Sequence, residues 1–174
     1  HLAQKTFLPI RGAIDLAVRL CDAFIYAEEQ QCGVTEVDLE NILIDESLTP
    51  KLWLFKDPSM DRGEPTQDAD LACVAPEVLS PTPRADGRSA VYGLGALLYR
   101  CVGGMPPFRA ADRDALKAKI LKDSPRDLKK LNIRASDVLC EIVNKAMKKS
   151  PQDRHQNPTE LAQDLKRLMS GAGR

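Results

Sequence analysis

The length, composition and charge of the chain exclude several classes of protein. The chain has 174 residues, of which 43% are apolar, and its 25 basic residues balance 25 acidic ones. This length suits a single domain over residues 1–174 with a hydrophobic core of its own. Because the net charge is zero, the whole chain has no electrostatic drive toward nucleic acid or an anionic membrane surface. No apolar run approaches the roughly 18 residues that span a bilayer, so we expect no membrane insertion.

The cysteine pattern predicts a reducing compartment, and the chain start predicts a piece of a longer protein. The five cysteines are widely spaced and odd in number: Cys21, Cys32, Cys73, Cys101 and Cys140. No CxxC pair occurs, so the pattern supports neither a zinc site nor a disulfide framework. Each cysteine lies in or beside an apolar stretch, which predicts buried, reduced thiols and a cytoplasmic location. No signal peptide is recognisable, and because the chain starts at His1 instead of Met, we expect a piece of a longer protein.

The first third of the chain predicts one amphipathic helix and a small hairpin. Between Ile10 and Glu29, apolar residues recur at spacings of three and four, which places them on one helix face. Residues 41–44 and 51–55 read as two short strands, and the turn-forming residues between them favour a hairpin. We expect Trp53 in the second strand to pack in the core or on a shelf of the surface. The alternative is that its ring stacks on a ligand. The polar stretch that follows, up to residue 73, is typical of a long loop.

A segment that is apolar nearly all round follows at residues 89–102. A helix of this kind belongs in the middle of a domain, because it has no broad polar face to present to water. Gly103 and Gly104 end the segment, and Pro106 and Pro107 prevent its resumption. The sequence therefore predicts one central, buried helix.

The rest of the chain predicts three more helices. Residues 111–122 form the first, with an apolar side made of Leu116, Ile120 and Leu121. Ser136 is the predicted N-cap of the second. Asn157 caps the third, with Pro158 in its first turn and Glu160 three residues after the cap. Together the elements predict a mainly α fold around one buried helix, with a small β-hairpin near its start.

Short motifs along this layout match, in order, those of one protein family. Residues 41–43 read Asn-Ile-Leu, 51–52 Lys-Leu, 75–77 Ala-Pro-Glu, 91–95 Val-Tyr-Gly-Leu-Gly and 153–154 Asp-Arg. The series resembles the C-terminal lobe of a eukaryotic-type Ser/Thr protein kinase. It is similar to the end of the catalytic loop, the strand before the metal-binding Asp-Phe-Gly, the close of the activation segment, the central helix, and the Arg that pairs with the Ala-Pro-Glu glutamate. The resemblance implies the fold of that lobe, whereas activity depends on the individual site residues.

The resemblance places a catalytic loop just before the hairpin, and the reactive positions of that loop are altered. Kinases use an Asp there to accept the substrate proton, and an Asn five residues later to bind magnesium. Counting back from Asn41 gives Glu36 at the base position, one methylene longer than Asp. Val34 and Thr35 replace the preceding His and Arg, and Asp38 stands where the family has a phosphate-contacting Lys. The resemblance thus implies no catalytic residue here and leaves Glu36 as a degenerate base position, or as a solvated loop carboxylate.

The metal site implied by the resemblance is altered further. Leu54 aligns with the Asp of Asp-Phe-Gly and offers no oxygen to magnesium, which requires hard oxygen ligands. Asp57 is a stand-in only if the loop changes register. Asn41 is then either a relic of the metal site or a turn amide bonded to nearby backbone. Ala90 replaces the Asp that straps the catalytic loop to the buried helix, and an unpaired buried Asp would be costly there.

No cofactor is expected from this chain by itself. The chain contains neither the Gly-rich phosphate loop nor the strand lysine of an N-terminal kinase lobe. ATP and magnesium would therefore require such a lobe upstream of His1. His1 and His155 have no partners at metal-ligand spacing, and we expect His155 at the surface.

Two sets of charged residues stand out. Glu77 and Arg154 are expected to form a partly buried ion pair with an architectural role. Between residues 117 and 134, seven basic residues stand against two acidic ones, a local excess of five. The basic residues are Lys117, Lys119, Lys122, Arg126, Lys129, Lys130 and Arg134. An anionic partner is one interpretation, and a solvated helix face with its following loop is the other.

Three hypotheses about function fit these residues. The first is a pseudokinase-like lobe without phosphotransfer activity that acts as a protein-binding or regulatory scaffold. It predicts a protein partner and no nucleic acid, with docking at the ledge around Pro107 and Phe108 and at the helix after it. The second is the C-terminal lobe of an active or weakly active ATP-dependent Ser/Thr protein kinase. The third is an unrelated helical scaffold that only echoes the kinase motifs.

Overall fold

A computed structural model describes residues 8–45, 49–52 and 71–171 of the chain. Six α-helices lie in the described part: α1 Ile10–Glu29, α2 Gly87–Gly103, α3 Arg113–Lys122, α4 Leu128–Leu131, α5 Asp137–Ala146 and α6 Pro158–Met169. Single 3₁₀ turns occupy Leu39–Asn41 and Pro151–Asp153. Two short strands, β1 Ile42–Ile44 and β2 Pro50–Leu52, pair antiparallel. The predicted fold class, mainly α with a small β-hairpin, is confirmed.

Helix α2 is at the centre of the fold. Nearly all of its residues are buried, and α1, α4, α5 and α6 all pack against it. Its first turn is fixed by a capping box: the Asp86 carboxylate accepts from the Arg88 amide, and the Ser89 hydroxyl accepts from the Asp86 amide. Gly104 adopts φ 72° and ends the helix, since a left-handed residue is readily supplied by glycine.

Two glycines of α2 allow its neighbours to approach the helix closely. A Cβ on Gly93 would lie 2.6 Å from the Cβ of Val37 and 3.0 Å from the carbonyl oxygen of Cys73. A Cβ on Gly95 would lie 2.7 Å from the Cβ of Ala146. The loop that contains Val37 and the segment that contains Cys73 therefore sit directly on the central helix. The close contacts at Gly93 bring the two kinase-like segments onto one stretch of α2.

The hairpin and the outer helices complete the fold. In the hairpin, Ile42 pairs with Leu52 and is buried, whereas Leu43 is 49% exposed on the opposite face. Helix α1 packs against both α2 and α6. A surface ion pair of 2.9 Å joins Lys166 of α6 to Asp22 of α1, and pairs this exposed contribute little to stability.

His155 was expected at the surface, and this prediction is wrong. The side chain is fully buried, with Nε2 3.2 Å from a carboxylate oxygen of Asp164 in α6. Burial is the main cause that lowers the pKa of His155, with Lys145 adding to it, and the nearby Asp164 opposes the shift. In the sequence, His155 is a polar residue beside Arg154. Only the fold shows that α6 supplies the carboxylate of Asp164 as a partner for the buried ring.

Three smaller predictions also need correction. Cys32 is exposed, because it follows the left-handed residue Gln31 in the polar turn after α1, whereas the other four cysteines are buried. Leu121 is 39% exposed, since α3 buries only the narrow face that contains Leu116 and Ile120. Helix α3 also begins slightly later than predicted, because the Asp112 side chain caps it by accepting from the Ala115 amide at 2.8 Å.

Within the described ranges, none of the helices combines the length and the apolar character that crossing a bilayer requires. Trp53 and the end of the second predicted strand, together with His1, lie outside the described residues.

Candidate functional site

The loop between α1 and β1 contains the candidate catalytic positions. Val37 is only 4% exposed and rests on α2 opposite Gly93, so an apolar contact anchors the loop to the central helix. Glu36, the neighbouring residue, is exposed to solvent. Burial of Val37 thus leaves the degenerate base position at the protein surface.

Asn41 and Asp38 are bonded to each other within a 3₁₀ turn. The side-chain amide of Asn41 donates to a carboxylate oxygen of Asp38 at 2.9 Å, and the Asn41 backbone amide donates to the Asp38 carbonyl at 3.1 Å. Both residues are partly buried. The turn-amide interpretation of Asn41 matches this geometry, with the difference that its side chain bonds a carboxylate as well as serving a backbone turn. The site therefore presents a carboxylate at the position where the resembled family has a lysine.

A cavity of about 220 Å³ lies beneath this loop. Phe24 of α1, the loop residues Val34 and Thr35, and Ala90 of α2 are among the residues that line it. Val34, Thr35 and Ala90 are the positions at which the resembled family has His, Arg and Asp. Small side chains at all three positions leave the space that a polar strap would occupy, and Ala90 itself is only 1% exposed.

Arg154 and Glu77 form a bidentate ion pair in which the arginine is buried. The guanidinium donates from Nη1 to Glu77 Oε1 at 2.8 Å and from Nη2 to Glu77 Oε2 at 2.7 Å. The Arg154 side chain is 0% exposed and that of Glu77 is 17% exposed. Paired N–H donors on a carboxylate give both strength and a fixed orientation.

The remaining donors of Arg154 all reach backbone carbonyls. Nε donates to the Lys148 carbonyl at 2.7 Å, Nη1 to the Arg88 carbonyl at 2.8 Å and Nη2 to the Lys149 carbonyl at 2.9 Å. All the N–H groups of the guanidinium are therefore used, which is what a buried arginine requires. Its central carbon also lies 5.0 Å from the ring centroid of Tyr92.

The protonation of Glu77 reflects these contacts. Burial by itself would raise the pKa of the carboxyl group, but the hydrogen bonds from Arg154 and Ser89 outweigh it, so the net pKa is lowered. The Ser89 hydroxyl donates to Glu77 Oε1 at 2.7 Å, and the same hydroxyl belongs to the capping box of α2. Glu77 thereby connects the Ala-Pro-Glu segment to the start of the central helix.

The ledge around Pro107 and Phe108 does not offer those two side chains to a partner. Both are buried, and Phe108 is 5% exposed. The Lys149 ammonium lies 4.3 Å from the centroid of the Phe108 ring and donates to the Ile120 carbonyl. Burial is the main cause that lowers the pKa of Lys149 to about 8. The Phe108 ring is therefore covered by a lysine of the same chain, and docking at this ledge and the helix after it stays a prediction.

Some cations of the predicted anion-binding region bond to other groups of the chain, and others are exposed. Lys119 donates to the Arg109 carbonyl at 2.9 Å, and Lys129 donates to the Ala135 carbonyl and to Asp137, each at 2.8 Å. Lys122, Arg126 and Lys130 are exposed. The ammonium groups of Lys119 and Lys129 are thus engaged in contacts within the chain.

Part of the implied metal site lies beyond the described residues. Leu54 and Asp57 are both outside them, so their predicted roles stay predictions. In the described ranges, no three His, Cys, Asp or Glu side chains come together in a way that could hold a metal ion.

Several contacts of this region were not predicted from the sequence. The capping box of Asp86 and Ser89 had a signal in its spacing, whereas the bond from Ser89 to Glu77 across twelve residues had none. The bond between Asp38 and Asn41 also had one, since residues three apart meet in a 3₁₀ turn. The position of Lys149 over Phe108 had no local signal, because the two residues are far apart in sequence.

Comparison with known proteins gives the family context of this site. The chain is 28% identical over 170 residues to serine/threonine-protein kinase PknB of Mycobacterium leprae, covering 94% of this chain and 27% of that protein. It is 32% identical over 177 aligned positions to a probable serine/threonine-protein kinase PknB of Corynebacterium glutamicum, covering 95% of this chain and 27% of that protein. A probable serine/threonine-protein kinase of Clostridium perfringens is 27% identical over 96% of this chain. No protein-family model matches the chain.

These similarities define the class of the protein. Over nearly its whole length, the chain is homologous to Ser/Thr protein kinases, and its fold is that of a kinase C-terminal lobe. The chain spans about a quarter of the length of the relatives that it matches, 25% to 27%.

The ion pair generates the first testable prediction. Glu77→Gln removes the charge that compensates the buried guanidinium of Arg154, so we expect the free energy of unfolding in urea to fall by about 3 kcal/mol. Asp22→Asn breaks the exposed pair with Lys166 and serves as the control, with an expected loss of about 0–1 kcal/mol.

The same pair predicts an acid dependence of stability. Because the folded pKa of Glu77 lies below the usual 4.5, its stabilisation is complete above pH 4.5 and is lost as the pH falls through the folded pKa. Glu77→Gln should lack this part of the acid dependence. Equal urea stability of Glu77→Gln and the parent chain would show that the pair has no architectural role.

The cavity generates a second prediction. Ala90→Asp places a carboxylate in a buried position that lacks its strap partners, so we expect a loss of about 1–3 kcal/mol in urea unfolding. Ala90→Val has similar bulk without charge and controls for the added volume. In a double-mutant cycle, adding Val34→His should recover about 1 kcal/mol as a favourable coupling. No loss in Ala90→Asp would mean that a buried carboxylate finds other partners there, contrary to this interpretation of the cavity.

Proposed function

We propose that this chain is a pseudokinase-like C-terminal lobe that lacks phosphotransfer activity and acts through protein binding. It keeps the buried frame of a kinase lobe and has lost the groups with which that lobe positions phosphate. Its role is that of a binding or regulatory scaffold within the protein that contains it.

The bond between Asp38 and Asn41 is the observation that carries the proposal. Phosphoryl transfer depends on positioning and on neutralising the charge of the triphosphate with cations. Asp38 places a carboxylate next to Asn41, and a negative charge there repels a triphosphate. Glu36 at the base position extends one methylene farther than Asp, and a misplacement of about 1 Å can cost roughly a hundredfold in rate.

The chain's own residues do not fit a magnesium–nucleotide complex. The aligned Asp-Phe-Gly position is Leu54, which offers no oxygen to magnesium, whereas the Asn41 side chain uses its amide nitrogen, and not its oxygen, in the bond to Asp38. The cavity under the loop and the small residues around it agree with this, because the strap that orients a working loop has no partner at Ala90. The frame around Arg154, in contrast, is complete.

The alternative is the C-terminal lobe of an active or weakly active ATP-dependent Ser/Thr protein kinase. The names of the relatives favour it, since each is a kinase or a probable kinase. It requires an N-terminal lobe upstream of this chain to supply the phosphate loop and the strand lysine.

A phosphotransfer assay separates the two functions. The longest protein that contains this chain is incubated with radiolabelled ATP, magnesium and a mixed Ser/Thr peptide library, beside the M. leprae kinase as a positive control. We expect no label above the level without enzyme. The proposal is wrong if label is transferred and Glu36→Gln lowers the rate by about a hundredfold or more. Glu141→Gln, an exposed glutamate on α5, is the matched control for that variant.

A further inference from the structure

Four exposed cations lie in one short stretch of the chain, residues 122–134. Lys122, Arg126, Lys130 and Arg134 are all exposed, and in the described part of the chain their side chains make no hydrogen bond or ion pair. We call these four residues with Ile133 the basic surface. A cation that makes no contact within the chain is available to an outside partner.

The backbone under the basic surface is held firmly to the central helix. The Tyr99 hydroxyl of α2 donates to the Arg126 carbonyl at 2.7 Å, and the Asn132 side-chain amide donates to the Val102 carbonyl at 3.0 Å. Leu128 between them is 0% exposed. The cations therefore stand on a fixed backbone, which lowers the entropy lost when a partner binds.

Ile133 distinguishes this surface from an ordinary solvated face. It is 79% exposed, whereas Tyr26, the next most exposed large apolar residue in the described part of the chain, is 63% exposed. The Arg134 amide donates to the Asn132 side-chain oxygen at 3.1 Å, so the turn that presents Ile133 is closed by its own hydrogen bond. A rigid apolar side chain beside cations fits a ligand that has both carboxylates and an apolar group.

The charges around this surface favour a peptide over a polyanion. Asp123 and Asp127 are exposed within the same stretch and would repel a continuous phosphate backbone. Lys129 is neutralised by Asp137, and the whole chain has no net charge to attract nucleic acid from a distance. An acidic peptide can place its carboxylates selectively at the cations and leave the aspartates to solvent.

We propose that the basic surface binds an acidic segment of a partner protein, with an apolar side chain of that segment against Ile133. The proposal rests on the protein-binding role proposed above and gives it a location and a partner chemistry. It is separate from the prediction of docking at the ledge around Pro107 and Phe108.

Fluorescence anisotropy tests the proposal with the full chain and a short labelled peptide of Glu, Asp and Leu. We expect saturable binding that weakens with salt and falls about tenfold in Arg126→Glu/Lys130→Glu. Arg11→Glu/Lys148→Glu makes the same change in net charge at exposed residues outside the surface, and it should leave the affinity within about twofold. Ile133→Ser should weaken binding of the Leu-containing peptide but not of a peptide with Ser in place of Leu.

Three outcomes would overturn the proposal. The first is equal loss in both charge-reversal pairs, which would indicate nonspecific attraction. The second is no effect of Ile133→Ser on the Leu-containing peptide. The third is binding of a labelled oligonucleotide, or of phosphatidylserine vesicles, at least as tight as that of the peptide. Because none of these measurements involves phosphotransfer, their failure is distinct from a failure of the proposed lack of activity.

Discussion

The buried guanidinium of Arg154 is the contact on which the rest of this structure depends. It joins the Ala-Pro-Glu segment through Glu77, the first turn of the central helix through the Arg88 carbonyl, and the turn after α5 through Lys148 and Lys149. These segments are far apart in sequence, so a single side chain sets their relative positions. A charge buried this deeply is tolerated because all of its donors are used.

That frame is independent of the groups that do chemistry. The loop after α1 is anchored by Val37 packing on α2 at Gly93, an apolar contact that needs neither the strap position nor the base position. Glu36, Asp38 and Ala90 could therefore change without loss of the fold. The same separation is compatible with the proposed binding role of the basic surface, because that role does not depend on the loop after α1.

Much of this fold could be predicted from local sequence signals. The helix caps at Ser136 and Asn157 depend on residues close in sequence, and so does the apolar run of α2. Their positions could therefore be predicted directly. The ion pair between Glu77 and Arg154 could be predicted only from the family resemblance. Burial of His155 and the covering of Phe108 by Lys149 were not predictable, because each depends on a contact between distant segments. In the candidate site, the residue types and the spacing of Asp38 and Asn41 were visible in the sequence, whereas the cavity at Ala90 depends on how the loop after α1 packs against α2.

The most direct test of the central claim is whether magnesium and ATP stabilise the protein together. Thermal unfolding of the longest protein that contains this chain is followed with ATP alone, magnesium alone and both. Because the chain's residues do not fit a magnesium–nucleotide complex, we expect both together to raise the melting temperature no more than the separate additions do. A saturable, magnesium-dependent rise that disappears in Asn41→Ala would contradict it, because a ligand stabilises a fold only when that fold binds it.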